Sequence, residues 1–242
     1  DNGYIVSGGS DSYYWSRIID YHVETGLNLF KDPLLNYPDG LINPRPPFFS
    51  MSVAVPAVLM EGLFETMDDS VGFFFVWSTA FWGALTVVPV YFLGKETFGR
   101  RVGMAAAFLF ALMPAHVQRS VLSNADHDAI ILFLIVTIFY FLLKAIRVQE
   151  HRKWVESWRS GAGITAGLKA YFGGSRKALL YAMMAGTAYA ALMMTWVGFA
   201  YVTVIILVYY LIQLLVNMFR YQDSTSITLI IAVTLGFGYL MA

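Results

Sequence analysis

Residues 124–143 read NADHDAIILFLIVTIFYFLL, an acidic triplet followed at once by an uncharged apolar run. From Ala129 to Leu143 nothing interrupts the run except Thr137, and neither Gly nor Pro breaks it. Such a stretch is long enough, with its flanks, to form a membrane-crossing helix. Further runs predict spans at Gly72–Gly94, Val102–Val117, Ala129–Ile146, Ala178–Met194, Tyr201–Met218 and from Ile227 onward. Hydrophobic residues make up 58% of the 242 and charged residues 13%, whereas soluble domains sit nearer half and a quarter. The composition therefore predicts an all-α polytopic membrane protein.

Charge orients the spans. Lys95, Arg100 and Arg101 follow the first one. Arg147, Arg152, Lys153, Arg159, Lys169, Arg176 and Lys177 fill the segment after the third, and Arg220 follows the fifth. The positive-inside rule puts these connections in the cytoplasm, with 147–177 as a basic cytoplasmic loop that starts with a short amphipathic helix drawn to anionic headgroups. Residues 1–71, the turn at 119–128 and the link at 195–200 are then external. These hold most of the acids, opposed only by Arg17, Lys31, Arg45 and Arg119. Pro56 interrupts the apolar stretch Pro46–Phe64, and Ser50, Ser52 and Glu61 dilute it, so it reads as an interfacial or re-entrant segment. The organisation expected is thus a long external first loop, 1–71, and a transmembrane region, 72–242, of about six spans. With no initiator Met at Asp1 and an uncapped apolar run at Ala242, the chain reads as part of a longer one.

Zero net charge argues against a nucleic-acid partner and against the acidic surface of an extreme halophile. The absence of Cys excludes disulfides, thiolate metal sites and a cysteine nucleophile. Oxygen and imidazole are the strong ligands left, which favours magnesium or manganese over structural zinc.

Two acidic clusters, Gly9-Ser10-Asp11 and Asp126-His127-Asp128, emerge on one membrane face in this threading. Asp126-His127-Asp128 has two readings. One Asp suffices to cap the following helix, but the second Asp and the His add repulsion that a divalent cation would relieve. Asp11 follows the Gly-rich turn Ser7-Gly8-Gly9 and reads either as a helix cap or, with Asp126, as a ligand.

Gly9-Ser10-Asp11-Ser12-Tyr13-Tyr14-Trp15-Ser16-Arg17 resembles the first acidic motif of the oligosaccharyltransferase catalytic subunit, and Ser120–Asp128 resembles its second, in the archaeal style. Pro38-Asp39-Gly40 with Pro44-Arg45-Pro46-Pro47 looks like that family's first external loop, and Thr195-Trp196-Val197-Gly198 is similar to a later external link. The resemblance implies a GT-C-type transmembrane helical domain. It implies transfer of an oligosaccharide from a dolichol-linked mono- or diphosphate to Asn of Asn-X-Ser/Thr sequons, using Mn²⁺ or Mg²⁺. It makes Asp11 a catalytic residue and, with Asp126 and Asp128, a metal ligand; Arg45, His127 and Trp196 would face the donor phosphate or lipid. Arg45 also suits an ion pair with a nearby acid, and Trp196 an interfacial belt.

Three departures stand out. Gly9 occupies a place where many members carry another acid, and Trp15 one where a His is common. The second amide-contacting Glu and the Trp-Trp-Asp sequon-reading motif have no counterpart, so this portion is expected to be inactive alone. Other classes share some of these features. A GT-C protein O-mannosyltransferase would have external acids and basic cytoplasmic loops. A secondary transporter predicts mid-membrane charges and inverted repeats, which are missing here. A structural membrane subunit would leave the acid clustering unexplained.

Overall fold

The computed structural model describes residues 6, 9–149, 153–156 and 159–242. About 75% of it is helical, in ten α-helices, and it divides into two compact units. The first comprises residues up to Phe133 together with Met194–Val197, and the second Leu134–Met193 with Gly198–Ala242.

In the first unit, α1 (Ser10–Thr25) buries Ser12, Trp15, Ile19 and His22 along one stripe at the three-to-four-residue helical period. Gly26, at φ 69°, ends it by returning its N–H to the His22 carbonyl. A short antiparallel pair follows, β1 (Lys31–Asp32) and β2 (Leu41–Ile42), with Lys31 opposite Ile42 and Asp32 opposite Leu41. The stretch Pro46–Phe64 forms α2 (Phe48–Leu59) and one 3₁₀ turn, Glu61–Leu63. α2 buries Phe49, Ser50, Val53, Ala54 and Ala57, while Val55, Val58 and Leu59 on its other side are exposed. Thr66 caps α3 (Met67–Phe98), its hydroxyl accepting from the Asp69 N–H, so this helix starts about a turn before the expected Gly72.

The expected single span at 102–117 is instead two helices, α4 (Arg100–Ala111) and α5 (Pro114–Ser120). Pro114 is the reason: it lacks the N–H that would continue α4, and it suits the first position of a new helix. α3 and α4 pack tightly because Gly103 lies against α3; a Cβ there would come within 2.7 Å of the Tyr91 carbonyl. The first residues of α6 (Asp128–Val148) complete this unit, with the link 194–197, where the Met194 carbonyl accepts from the Phe48 N–H at 2.8 Å.

The second unit holds the rest of α6, α7 (Gly161–Gly174), α8 (Arg176–Met193), α9 (Phe199–Phe219) and α10 (Thr225–Met241). The helix expected at the start of 147–177 falls partly on residues outside the described ones. Residues 153–156 are non-helical, and the helix seen in this segment is α7, in its second half. Gly167 makes that possible: a Cβ would lie 2.4 Å from the Trp154 carbonyl, so only glycine lets α7 pack on Trp154 and Val155. Trp154, Tyr171 and Leu229 form a small core beneath it. Ala178, Ala182, Gly186 and Ala190 make a small-residue ridge on α8 that lets α10 approach closely.

Of the six expected spans, three correspond to helices long and apolar enough to cross a membrane among the described residues: α3, α6 and α9. α4 has 12 residues, α8 has 18 with two cations at its start, and α10 has 17.

Candidate functional site

The acidic site lies within the first unit, and its second cluster is set by backbone. Ser123 (φ 67°) and Ala125 (φ 48°) both occupy the left-handed region, where a non-glycine residue costs about 1–3 kcal/mol. Bonds from neighbouring elements hold this loop. The Ser123 N–H donates to the Val76 carbonyl at 3.0 Å, and the Thr79 hydroxyl donates to the Val121 carbonyl at 3.0 Å, both from α3. From α1, the buried Ser12 hydroxyl donates to the Asn124 carbonyl at 2.7 Å.

The result is a compact donor set. Ligand atoms of Asp126, His127 and Asp128 lie within 4.8 Å of one another. Asp126 and His127 are buried and Asp128 is partly exposed. Asp126 Oδ1 accepts from the His127 backbone N–H at 2.7 Å and sits 2.6 Å from His127 Nδ1. Burial pushes the Asp126 carboxyl up, but the His127 hydrogen bonds and charge, helped by Arg45, outweigh it and leave it below its ordinary value. Asp128 pairs with Arg119 at 3.0 Å. Two carboxylates and an imidazole at this spacing fit a divalent cation, by charge and by donor type.

Asp11 lies in the first turn of α1, after Gly9 at φ 73°; Ser7 and Gly8 of the expected turn lie outside the described residues. It does not belong to the three-residue donor group. Its Oδ1 instead meets Arg45 Nη2 at 2.7 Å. Arg45 also stands over the Trp15 ring, 5.5 Å from its centroid, and Trp15 lies 5.4 Å from the His127 ring. The fully buried Trp15 thus bridges the two halves of the site, with Phe49 edge-on at 4.8 Å. Trp196 is half-buried in the 194–197 link.

Sequence reasoning missed three residues that build this arrangement: Ser12, Trp15 as packing between Arg45 and His127, and Arg119 as the partner of Asp128. Only Trp15 left a usable signal, sitting one helical turn after Asp11. Ser12 and Arg119 act across separations that no local pattern reports.

Residues 2–242 match the family model described as Oligosaccharyl transferase STT3, N-terminal. The chain belongs to this family. It is 32% identical over 145 residues to the Dolichyl-phosphooligosaccharide-protein glycotransferase 1 of Archaeoglobus fulgidus, an alignment covering 60% of this chain and 23% of that protein. A solved oligosaccharyltransferase of that organism, in complex with an inhibitory peptide and a dolichol-phosphate, superposes with a TM-score of 0.80 at 23% identity, over 97% of this chain and 25% of that one. Another, in complex with Zn and sulfate, gives 0.77 at 23% identity, over 97% and 27%. These likenesses establish the fold as that of the oligosaccharyltransferase membrane region. The chain spans about a quarter or less of the length of the curated relatives it matches.

Proposed function

We propose that this chain is the amino-terminal membrane part of an oligosaccharyltransferase. It transfers an oligosaccharide from a dolichol-linked phosphate donor to Asn in Asn-X-Ser/Thr sequons, on the external face of the membrane. The observation that carries this reading is the Asp126–His127–Asp128 donor set, tied through Ser12 and Trp15 to the Asp11–Arg45 pair. The relative solved with dolichol-phosphate and a peptide supports both substrate classes.

The chemical difficulty is the acceptor. A carboxamide nitrogen donates its lone pair into its own carbonyl and is a poor nucleophile. A carboxylate that accepts a hydrogen bond from the amide N–H localises that lone pair, and Asp11 takes this role through Oδ2, since Oδ1 is engaged by Arg45. Arg45 brings positive charge for a donor phosphate, held in place by Trp15 beneath it. With His127 Nδ1 turned to Asp126, Nε2 is the nitrogen left to meet a phosphate oxygen or a metal. Trp196 is assigned to the lipid side of the donor. A divalent cation, Mn²⁺ or Mg²⁺, would be held by Asp126 and Asp128, and by Asp11 only once its Oδ1 leaves Arg45, and would stabilise charge on the departing phosphate.

The test uses the full-length parent enzyme with a fluorescent Asn-X-Thr peptide and lipid extract as donor. Transfer is expected to require Mn²⁺ or Mg²⁺, to stop with chelator, and to fall at least about a hundredfold in Asp11→Asn and Asp126→Asn. Transfer that survives both substitutions would overturn the site assignment. No transfer with a proven donor pool would favour a hydroxyl acceptor instead.

A further inference from the structure

The run Asn43-Pro44-Arg45-Pro46-Pro47 has little conformational freedom: three rings fix φ, and each residue that precedes a proline favours extended backbone. The Asn43 side chain fastens this run to its surroundings. Its Oδ1 accepts from the Arg45 N–H at 2.9 Å and from the Tyr14 hydroxyl at 3.0 Å, and its Nδ2 donates to the Leu29 carbonyl at 2.9 Å. The Asn43 N–H donates to the Phe30 carbonyl, also at 2.9 Å. This frame encloses a cavity of about 250 Å³, within the first unit. Protein groups alone brace its walls, so the cavity is preformed.

Its lining combines apolar surface with amide donors. Ile18 and Leu29 are buried in its wall, and Phe30 and Ile42 are exposed beside it. Asn28 is exposed, and its Oδ1 is paired with His22 Nε2, which leaves Nδ2 to donate to an incoming oxygen. Among the described residues that line the cavity none is acidic, and the Arg45 guanidinium is already matched by Asp11. Apolar walls, an amide donor and no charge to spare suit a neutral ring that carries hydroxyls. Arg45 gives the cavity its place: it lines the wall and its Nη2 meets Asp11 Oδ1 at 2.7 Å, so an occupant lies beside that pair.

We propose that this cavity is the subsite for the first sugar of the donor, with Asn28 and Phe30 as its specificity-determining residues. The inference rests on the transfer reading given above, in which Arg45 faces the donor phosphate; the sugar bonded to that phosphate is the next group along. Phe30 presents an aromatic ring to the C–H face of a pyranose, and Asn28 Nδ2 meets a ring hydroxyl. The lipid on the other side of the phosphate has no hydroxyl to offer. The volume lies below the roughly 300 Å³ at which drug-sized sites begin, which suits one ring and not a chain of them.

The test uses the full-length parent enzyme, lipid extract as donor, a fluorescent Asn-X-Thr peptide, and dolichyl phosphate, which carries no sugar, as competitor. Phe30→Ala and Asn28→Ala should each raise the donor KM about five- to tenfold. The peptide KM and the inhibition constant of dolichyl phosphate should stay within about twofold. Leu34→Ala, an exposed change on the same external loop outside the cavity, should leave the donor KM within about twofold. A rise in the peptide KM instead would give the cavity to the acceptor. An equal loss of dolichyl phosphate inhibition would give it to the lipid phosphate, and an unchanged donor KM would leave it without a role; each overturns the proposal. If the wild type transfers nothing, the reaction reading fails by itself, and saturation-transfer NMR with the methyl glycosides of glucose, N-acetylglucosamine, galactose and mannose decides the subsite. A glycoside bound by the wild type and lost in Asn28→Ala/Phe30→Ala supports it. No glycoside bound, or equal binding in both, overturns it.

Discussion

Asp32 shows how much one buried carboxylate can organise. Arg17 on α1 grips it through Nε at 3.0 Å and Nη2 at 2.9 Å, and the Leu34 N–H donates to it at 2.9 Å. Burial raises its carboxyl, but these bonds outweigh burial and hold it below the ordinary value. A depressed native value stabilises fully above the unfolded value of about 3.9 and is lost as pH falls through the native one. The thermal unfolding midpoint in detergent should therefore fall below about pH 4, and Asp32→Asn should flatten that dependence. Asp32→Ala strands the Arg17 fork and the Leu34 N–H and should cost about 2 kcal/mol. At the acidic site, Ser12→Ala leaves the Asn124 carbonyl without its buried donor. It should lower stability by about 1–2 kcal/mol, read as the same unfolding midpoint, while Ser12→Thr keeps the hydroxyl and most of the stability.

Between elements, glycine positions decide how closely helices pair. A Cβ at Gly186 of α8 would lie 2.8 Å from the Thr234 carbonyl and 3.2 Å from Phe237, so backbone would have to move. Gly186→Ala should destabilise by about 1–3 kcal/mol. Gly236 on the facing helix α10 has open space around its Cβ position. There Ala removes backbone freedom from the unfolded chain and should stabilise by about 0.5–1 kcal/mol. Unfolding midpoints of the two variants should move in opposite directions; a common direction would mean that α8 and α10 are spaced differently.

For the molecule as a whole, the environment is written on α9. Only 11% of its most apolar window is buried within the protein, and Val204, Val208, Leu211 and Leu215 are among its exposed residues. That surface belongs in lipid, since water would expel it. Leu211→Arg puts a charge at the middle of this helix and should cost about 2.5–3.5 kcal/mol of insertion. A membrane-insertion assay of the isolated α9 segment reads the loss directly: the wild-type segment inserts, and the Leu211→Arg segment inserts much less.

Hydropathy and charge pattern were enough to read a helical membrane protein and its acidic clusters, and the ordered motifs carried the family resemblance, because each is a local property of the chain. The run 129–143 is apolar wherever it is placed, and Asp126-His127-Asp128 stands beside it by covalent bonding alone. The break at Pro114 was legible in principle, since proline acts on its own helix, but the surrounding apolar run masked it. Which side chains share the site was decided by tertiary structure. Asp11 is 115 positions from Asp126 along the chain, and Arg45 could have paired with any nearby acid. The Ser12–Asn124 hydrogen bond joins the first turn of α1 to the loop before Asp126, and Arg45 meets Asp11 at 2.7 Å over the Trp15 ring. Sequence period specifies which face of a helix is buried; only packing against a second helix specifies what that face meets.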